Sequence, residues 1–344
     1  MKICRHTAAA ARALVLALAG LLAACATAPK KPTDFAVDVK VMPLAISEVA
    51  GSADVLFVGG YLLESGRPEF GGFSGLVVED HRRLIAVSDR GFWWEQAVSQ
   101  SPAGVIELAA RGRMGPLYDF GGKIAERGSD RHDAEEMARW PGGQLVSYEG
   151  EHRIALYRRR FLRQPGIPPV AARRPRKLAL PADLDPDPRF ENGGIEAMTR
   201  LEDGRLAIFS EEQRDAAGLA VMWVGDPRRG TWGRKSLELF EDYVPTSAST
   251  LPGGDVLLLE RSYSENRGVR GRVRRLPAAA FSSQAAPIAG TEILRIEPPE
   301  SVDNFEGIEV VPMDDGRVFF LLLSDDNFND SQRILLLQFE LLAP

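Results

Sequence analysis

The chain has 344 residues, of which 26% are charged, and its formal net charge at pH 7 is −6. That length is ample for one large domain. The acidic balance excludes the class of basic nucleic-acid-binding proteins, whose affinity for phosphate backbones needs clustered cations. The basic stretch 173–177 is the exception, and we interpret it as a solvated edge between Pro-rich loops.

The first 24 residues have the pattern of an export signal. Lys2, Arg5 and Arg12 flank an apolar run, 13–24, that is too short for a comfortable membrane span. Cationic residues before a short apolar run are typical of a secretory signal that is removed on export.

The end of this signal resembles the lipobox of bacterial lipoproteins. The sequence Leu-Ala-Ala-Cys ends at Cys25, so the resemblance implies that Cys25 is acylated and becomes the first mature residue. An ordinary signal cleaved near Ala24 is the alternative. Ala26, rather than an acidic residue, follows the cysteine, which favours an outer-membrane location facing the periplasm. Residues 25–35 then form a flexible tether. Because Cys4 lies in the removed segment, no internal disulfide is expected.

Short apolar runs dominate the rest of the chain, 36–344, and convincing amphipathic helices are almost absent. Only the stretch around Pro277–Phe281 suggests a single helical turn. Clusters of Gly, Pro, Asp or Arg bound the runs, which predicts strands in an all-β domain. The predicted strands are Val55–Leu62, Val105–Ala109, Arg153–Tyr157, Leu219–Val224, Glu292–Ile296 and Arg333–Leu341.

A hairpin pattern returns five times along this domain. Each copy opens with an apolar strand, turns at Gly or a charged pair, and runs back to end on a carboxylate. The closing acids are roughly 50 to 65 residues apart, near or a little above the periods of propeller blades. They are Asp89, Glu149, Glu211, Glu260 and Asp325.

One hairpin cannot bury its own apolar face, so the copies must pack side by side. We therefore predict a β-propeller of five blades in a single domain, with a sixth blade built from residues before Gly71 left open. The last strand, Arg333–Leu341, is long enough to pair with an early strand such as 36–44. That pairing would close the ring and remove a free edge.

Hairpin geometry brings the first residues of each copy beside its closing acid. In a propeller, equivalent strand ends from all blades meet at one face, so we expect at least eight carboxylates around one mouth. Such crowding raises the pKa of each carboxyl unless cations intervene, the candidates being a metal, Arg90, Arg261, His132, His152 and Arg153. The expected pairs are Ser74 with Asp89, Glu135 or Glu136 with Glu149, Glu196 with Glu211, Thr246 with Glu260, and Glu306 with Asp325.

Several of these segments resemble the bacterial phytase-like domain family, described as "esterase-like activity of phytase". They are GGFSGL with LIAVSDRG, NGGIEAMTRLEDGRL, LPGGDVLLLER, and NFEGIEVV with LLLSDDNFNDSQ, and the resemblance runs from about Gly60 to Phe339. It implies a β-propeller and hydrolysis of phosphoesters or related esters. The fourth copy departs from the pattern, since Thr246 and Ser247 stand where most other copies have Glu.

Hydrolysis of an anionic phosphoester at such a mouth requires that the local charge be inverted. Ca²⁺, which takes six to eight oxygen ligands, would do this, and Arg90 and Arg261 would orient the phosphate. We expect catalytic roles for Glu135, Glu196 and Glu306, and His132 or His152 as the acid for the leaving group. The expected calcium ligands are Glu135, Glu149, Glu196, Glu211, Glu306 and Asp325.

Four other interpretations stay open or are weaker. The acids could serve structure alone, in a non-catalytic lipoprotein propeller that binds a ligand or scaffolds envelope partners. The protein is expected to be a monomer in either case. The segment 325–336 mimics the start of an EF-hand loop but has Asp330 where Gly is required and Leu336 where the bidentate Glu is required. Ser74 lacks the G-x-S-x-G surroundings of a serine nucleophile, and Phe92–Trp94 is more typical of blade packing than of a sugar platform.

The lipobox makes a direct prediction about anchoring. Cys25→Ser removes the acylated thiol, so the variant should leave the membrane fraction and take up no labelled palmitate. Wild-type protein that incorporates no palmitate, together with a variant that stays with the membranes, would contradict the lipid anchor.

Overall fold

The computed structural model describes residues 34–45, 52–124, 133–149, 152–159, 166, 168–184, 194–283, 287–298 and 302–342. Cys25, the export signal and His132 lie outside this part. Within it the apolar runs form 23 strands, and the helical content is two short 3-10 helices, Pro169–Ala171 and Ala278–Phe281. In the same residues no helix has the length and apolar character needed to cross a bilayer.

The strands form five sheets, each of which is one blade. Blade 1 contains β4 (Phe73–Glu79), β5 (Arg83–Ser88), β6 (Phe92–Gln100), β8 (Arg111–Pro116) and β1 (Phe35–Asp38), with β7 (Ile106–Leu108) also paired to β6. Blade 2 contains β9 (Ala134–Trp140), β10 (Gly143–Tyr148), β11 (Arg153–Arg158) and β12 (Arg176–Lys177).

The remaining three blades follow in chain order. Blade 3 contains β13 (Ile195–Arg200), β14 (Leu206–Arg214), β15 (Ala220–Asp226) and β16 (Thr231–Leu237). Blade 4 contains β17 (Val244–Thr250), β18 (Val256–Ser264), β19 (Gly268–Leu276) and β20 (Thr291–Ile296). Blade 5 contains β21 (Asn304–Pro312), β22 (Val318–Asp325), β23 (Ile334–Leu341), β3 (Val55–Glu64) and β2 (Lys40–Pro43).

The first strands of the five hairpins form the inner wall of a closed ring. Each inner strand contacts the inner strands of the two neighbouring blades, in the cyclic order β4, β9, β13, β17, β21 and back to β4. This arrangement confirms a five-bladed β-propeller. The described residues before Gly71, 34–45 and 52–70, build no sixth blade, because β1, β2 and β3 extend the outer edges of blades 1 and 5.

Strands from both ends of the chain close the ring in blade 5. β23 pairs with β3, from Ile334 opposite Leu63 to Leu341 opposite Val55. The expectation that residues 36–44 supply the partner of the last strand was wrong. β2 (Lys40–Pro43) pairs with β3 instead of β23 and forms the outer edge of the blade. Pro43 accounts for this position, because a proline cannot donate to a sheet ladder and is tolerated at an edge.

Hydrophobic side chains fill a separate layer between each pair of neighbouring blades. Alternate residues of a strand point to opposite faces, so one blade feeds two layers. Trp93 packs between blades 1 and 2, whereas Trp94 packs between blades 5 and 1, and both are at most 1% exposed. The Phe92–Trp94 segment is therefore a packing element, as its sequence indicated.

The closure between β3 and β23 yields a stability prediction. Phe339 is fully buried, stacks on Phe320 and lies with its ring 5.4 Å from that of Phe57 on β3. Phe339→Ala should lower the free energy of unfolding by about 3–5 kcal/mol, because it removes apolar contact and leaves a cavity. Denaturant unfolding measures the loss. Leu56→Ala, on the exposed side of β3, is the matched control and should change stability by at most about 0.5 kcal/mol. Equal effects of the two substitutions would contradict this account of closure.

Candidate functional site

Every inner strand carries a β-bulge at the same position near its start. In blade 5, for example, Phe305 pairs with Ser324 and Gly307 with Leu323, so Glu306 is the extra residue. A bulge leaves one residue out of the ladder and re-aims its side chain. The five bulged residues, which we call the bulge ring, are Ser74, Glu135, Glu196, Thr246 and Glu306.

The same registers identify the equivalent residues at the ends of the second strands. In blade 5, the residue before the bulge, Phe305, pairs with Ser324, and the next residue, Asp325, is the equivalent residue of that blade. The same rule applies to the other four blades. These residues, which we call the closing ring, are Asp89, Glu149, Glu211, Arg261 and Asp325. The bulge ring, the closing ring and Asp133 together form the acidic mouth of the propeller.

Blade 4 therefore contributes an arginine to the mouth, and the expectation that Glu260 closes this copy was wrong. Glu260 pairs with Pro245, the residue directly before the bulge, and so precedes the closing-ring position by one residue along β18. A shift of one residue moves a side chain to the other face of its strand. Glu260 instead lies fully buried against Arg272 and Arg274, in the seam between blades 3 and 4.

The three glutamates of the bulge ring lie close enough to perturb one another. Burial raises the pKa of Glu135 well above its ordinary value, and the nearby charges of Glu196, Asp133, Glu306 and Glu149 raise it further. Burial and neighbouring carboxylates likewise raise the pKa of Glu196. For Glu306, burial raises the pKa while Arg261 opposes the shift. These carboxyls therefore tend to hold their protons unless another cation enters the mouth.

The closing-ring acids share this behaviour. Burial, Asp133 and Glu306 raise the pKa of Asp89 to about 7, although Arg90 acts against them. Burial and Glu306 raise the pKa of Asp325 to about 9. Burial also raises the pKa of Glu211, against the opposing charge of Arg261.

Two arginines serve the mouth in different ways. Arg261 lies between two acids, with Nη2 3.7 Å from Glu211 Oε1 and Nε 3.9 Å from Glu306 Oε1. Both distances exceed that of a hydrogen bond, and within the described residues Arg261 Nε has no acceptor. Arg90 is exposed next to Asp89, and its guanidinium lies over the ring of Phe328.

His152 lies beside the closing ring. A Cβ at Gly194 would be only 2.6 Å from His152 Nδ1, so glycine at this position makes room for the imidazole. Burial lowers the pKa of His152, which favours the neutral ring as a proton acceptor. Its Nδ1 has no partner among the described residues.

Three carboxylates of the mouth offer a candidate metal centre. One oxygen each from Asp133, Glu135 and Glu149 lies within 4.8 Å of the other two. Hard oxygen donors at this spacing suit Ca²⁺. Glu196 Oε1 is buried and has no donor among the described residues, as expected of an oxygen that awaits a cation. The donor set therefore fits the predicted ion, and it includes Asp133, which was not among the expected ligands.

Asp133 was missed because it precedes the strand motif. The amide of Glu149 donates to the Asp133 carbonyl, just as the amide of Asp89 donates to that of Gly72. Asp133 thus occupies the position held by Gly72 in blade 1. An alignment of the five copies by register, rather than by closing acid, would have identified it.

The ambiguity between Glu135 and Glu136 is resolved by a second layer beneath the bulge ring. Glu136 is 1% exposed and reaches from blade 2 to blade 4, where Ser247 Oγ donates at 2.5 Å and the Ala248 amide at 3.1 Å. A Cβ at Gly75 of blade 1 would lie 2.8 Å from Glu136 Oε1, so that glycine leaves space for the carboxylate. Glu136 therefore ties non-adjacent blades together, while Glu135 belongs to the mouth.

The loop after β22 is a turn rather than an EF-hand. The Asp325 carboxylate accepts from the Asn327 amide at 2.7 Å, and the Asp326 carboxylate accepts from the Gly72 amide at 2.9 Å. Asn327 and Phe328 both have left-handed backbone angles, with φ of 45° and 48°. These bonds hold Asp325 at the mouth and place Phe328 beneath Arg90.

The structure thus gathers most of the predicted site. Glu135, Glu149, Glu196, Glu211, Glu306 and Asp325 all lie at the mouth, with Arg261, Arg90 and His152 nearby. Ser74 and Thr246 occupy equivalent bulge positions, and the Thr246 hydroxyl donates to the Phe305 carbonyl at 3.1 Å.

Comparison with solved structures gives matches of low similarity. An aldose sugar dehydrogenase from Streptomyces coelicolor in its PQQ-bound form is 11% identical, with 85% of this chain and 100% of that one covered and a TM-score of 0.41. A gluconolactonase from Xanthomonas campestris is 10% identical, with 90% and 99% covered and a TM-score of 0.38. The WD40 β-propeller domain of Doa1 is 12% identical, with 88% and 93% covered and a TM-score of 0.38. Similarity this low says nothing about the chemistry of this chain, whose fold follows from its strand pairing.

Comparison with curated protein sequences gives no significant match. The family model "Phytase-like: Esterase-like activity of phytase" matches residues 68–328, about three quarters of the chain. That range includes all five inner hairpins and every residue of the acidic mouth, from Ser74 to Asp325. The chain therefore belongs to the phytase-like family, a family described by esterase-like activity.

Proposed function

We propose that the protein is a Ca²⁺-dependent hydrolase that acts on phosphate esters or related esters at the acidic mouth, held at the outer membrane by lipid on Cys25. The observation that carries the catalytic part is the group of Asp133, Glu135 and Glu149, whose oxygens lie within 4.8 Å of one another. The family description supplies the ester chemistry.

Charge explains why a cation belongs to this mouth. The carboxyls there have raised pKa values because burial and mutual repulsion disfavour their charged forms. A divalent ion held by Asp133, Glu135 and Glu149 would relieve that repulsion. Oε1 of Glu196, which is buried and has no donor among the described residues, is a further candidate ligand. When bound, such an ion stabilises negative charge that develops on the reacting oxygens.

Arg261 is suited to bind the anionic part of a substrate. Its two acidic neighbours lie at 3.7 and 3.9 Å, and its Nε has no acceptor within the described residues. A phosphate oxygen would supply a short, charge-assisted hydrogen bond that neither Glu211 nor Glu306 makes. Arg90, exposed at the rim, would receive the substrate before it reaches Arg261.

Two groups at the mouth, Asp89 and His152, have pKa values that suit opposite steps of proton transfer. Asp89, with a pKa of about 7, can hold a proton for a leaving group, which is the work expected of a general acid. The neutral imidazole of His152 can accept a proton from water, and its Nδ1 has no partner among the described residues. The sequence suggested His132 or His152 as this acid; the lowered pKa of His152 favours its use as a base instead, and the role of His132 stays a prediction.

The first test separates catalysis from binding alone. Purified protein should hydrolyse p-nitrophenyl phosphate, phytate or p-nitrophenyl acetate in millimolar Ca²⁺ but not in EDTA. Glu135→Gln should lower turnover at least about 10- to 100-fold because it removes a charged metal ligand. Glu64→Gln, on the exposed face of β3, is the matched control and should retain full activity.

Three outcomes distinguish the alternatives. Hydrolysis that is equal in Ca²⁺ and in EDTA would refute the metal but not the hydrolase. A calcium-dependent rise in Tm without turnover of any substrate would instead support a non-catalytic, ligand-binding propeller. Activity in Glu135→Gln equal to that of Glu64→Gln would remove Glu135 from the site.

The raised carboxyl pKa values also predict how stability depends on pH without metal. In EDTA the folded mouth binds more protons than the unfolded chain does, so the free energy of unfolding should fall as pH rises. The decline should begin above the ordinary carboxyl pKa, near 4, and continue through about 7 for Asp89 and about 9 for Asp325. Saturating Ca²⁺ should flatten this decline and raise Tm at pH 8 by about 4 °C at a hundredfold excess over Kd. Denaturation curves from pH 5 to pH 8 that are the same with and without Ca²⁺ would count against the site.

A further inference from the structure

Three arginines are buried along one face of β19, away from the mouth. Arg270, Arg272 and Arg274 are alternate residues, so their side chains share a face, and they are 3%, 2% and 1% exposed. They lie in the seam between blades 3 and 4, under the connection from β16 to β17. The guanidinium carbon of Arg272 is 4.2 Å from the centre of the Tyr243 ring, and that of Arg274 is 5.4 Å from the centre of the Phe240 ring.

The carboxylates near these arginines do not balance their charge. Arg270 has its own partners at the surface, Asp242 at 2.6 Å and Glu241 at 3.1 Å. Arg272 and Arg274 share the single carboxylate of Glu260, and no other described carboxylate lies within 4.0 Å of either. Two fully buried cations thus face one buried anion, and an uncompensated buried charge is costly.

Hydrogen-bond donors are in excess at the same place. Arg272 Nε and Arg274 Nε both donate to Glu260 Oε2, at 2.6 and 2.8 Å, and Arg274 Nη2 donates to Oε1 at 2.6 Å. Within the described residues, Arg272 Nη2, Arg274 Nη1 and the Tyr243 hydroxyl have no acceptor. Because both guanidinium groups bind one carboxylate oxygen and both lie within 6 Å of the Phe240 ring, they lie side by side. An acceptor placed there would satisfy donors from both.

We propose that the seam between blades 3 and 4 binds a small monovalent anion, such as chloride, between Arg272 and Arg274. One negative charge balances the single excess positive charge, whereas a doubly charged oxyanion would reverse it. A monatomic anion also suits the space between two guanidinium groups that are at most 2% exposed, with the half-exposed ring of Phe240 on the solvent side. This site is separate from the acidic mouth and does not depend on the proposed hydrolase.

The proposal is tested by thermal unfolding in EDTA, which keeps the mouth free of divalent ions. Chloride replaces isethionate, a bulky anion, at constant ionic strength. Wild-type Tm should rise by about 2–5 °C and saturate with chloride concentration, as for a ligand that binds the folded state. Arg274→Met leaves Glu260 paired with Arg272 alone, so the chloride response should disappear.

The matched control is Arg275→Met, on the next residue and the other face of β19. Arg275 pairs with Asp255 at 2.7 Å and is 29% exposed, so the chloride response should be retained. Because Arg274→Met could fail to fold, a second measurement uses wild-type crystals grown in bromide. An anomalous peak between Arg272 and Arg274 is expected. A Tm equal in chloride and isethionate, or bromide peaks confined to the surface, would overturn the proposal and leave water as the acceptor.

Discussion

The bulge near the start of every inner strand is the feature on which the site depends. In a regular strand, residues such as Glu196 and Glu306 would enter an apolar layer between blades. The extra residue in the register takes each of them out of the ladder and presents it to the axis. The same displacement, repeated in five blades, brings side chains far apart in sequence into one electrostatic neighbourhood.

That neighbourhood is strongly biased toward one sign of charge. Seven acids and Asp133 lie around the mouth, while Arg261 is the one cation that the two rings themselves contribute. Backbone donors satisfy Glu136 one layer below, so that carboxylate is structural although its sequence context resembles that of Glu135. Of these two adjacent glutamates, Glu135 therefore belongs to the candidate site and Glu136 to the packing of the blades.

The fold was readily predictable from the sequence because its signal is local. Each hairpin carries its own strand, turn and strand, and the repeat of those hairpins indicates a ring. Ring closure was predicted less well. Whether β2 or β3 pairs with β23 depends on Pro43, which keeps β2 at the edge, and on pairing between residues far apart in sequence. Several of the 23 strands, including β7, β11 and β15, match the predicted runs closely.

The site was only partly predictable, for a geometric reason. Carboxylate identity aligns Glu260 with Asp89, but pairing shows that Arg261 is the equivalent residue, and a shift of one residue changes the face. Asp133 has no neighbouring motif to mark it. The burial of Arg272 and Arg274 beneath residues 240–243 could not be foreseen from alternating charged residues, which usually indicate an exposed strand face.

Closure of blade 5 has a consequence for the order of assembly. In a chain that is synthesised from its N-terminus, β3 emerges early, directly after β1 and β2, yet its partner β23 emerges more than 250 residues later. Blades 2, 3 and 4 are contiguous in sequence and can form while the chain lengthens, whereas blade 5 must wait for the last strand. Until then β3 keeps an open edge that other chains could join, so the interval before closure is when aggregation competes with folding.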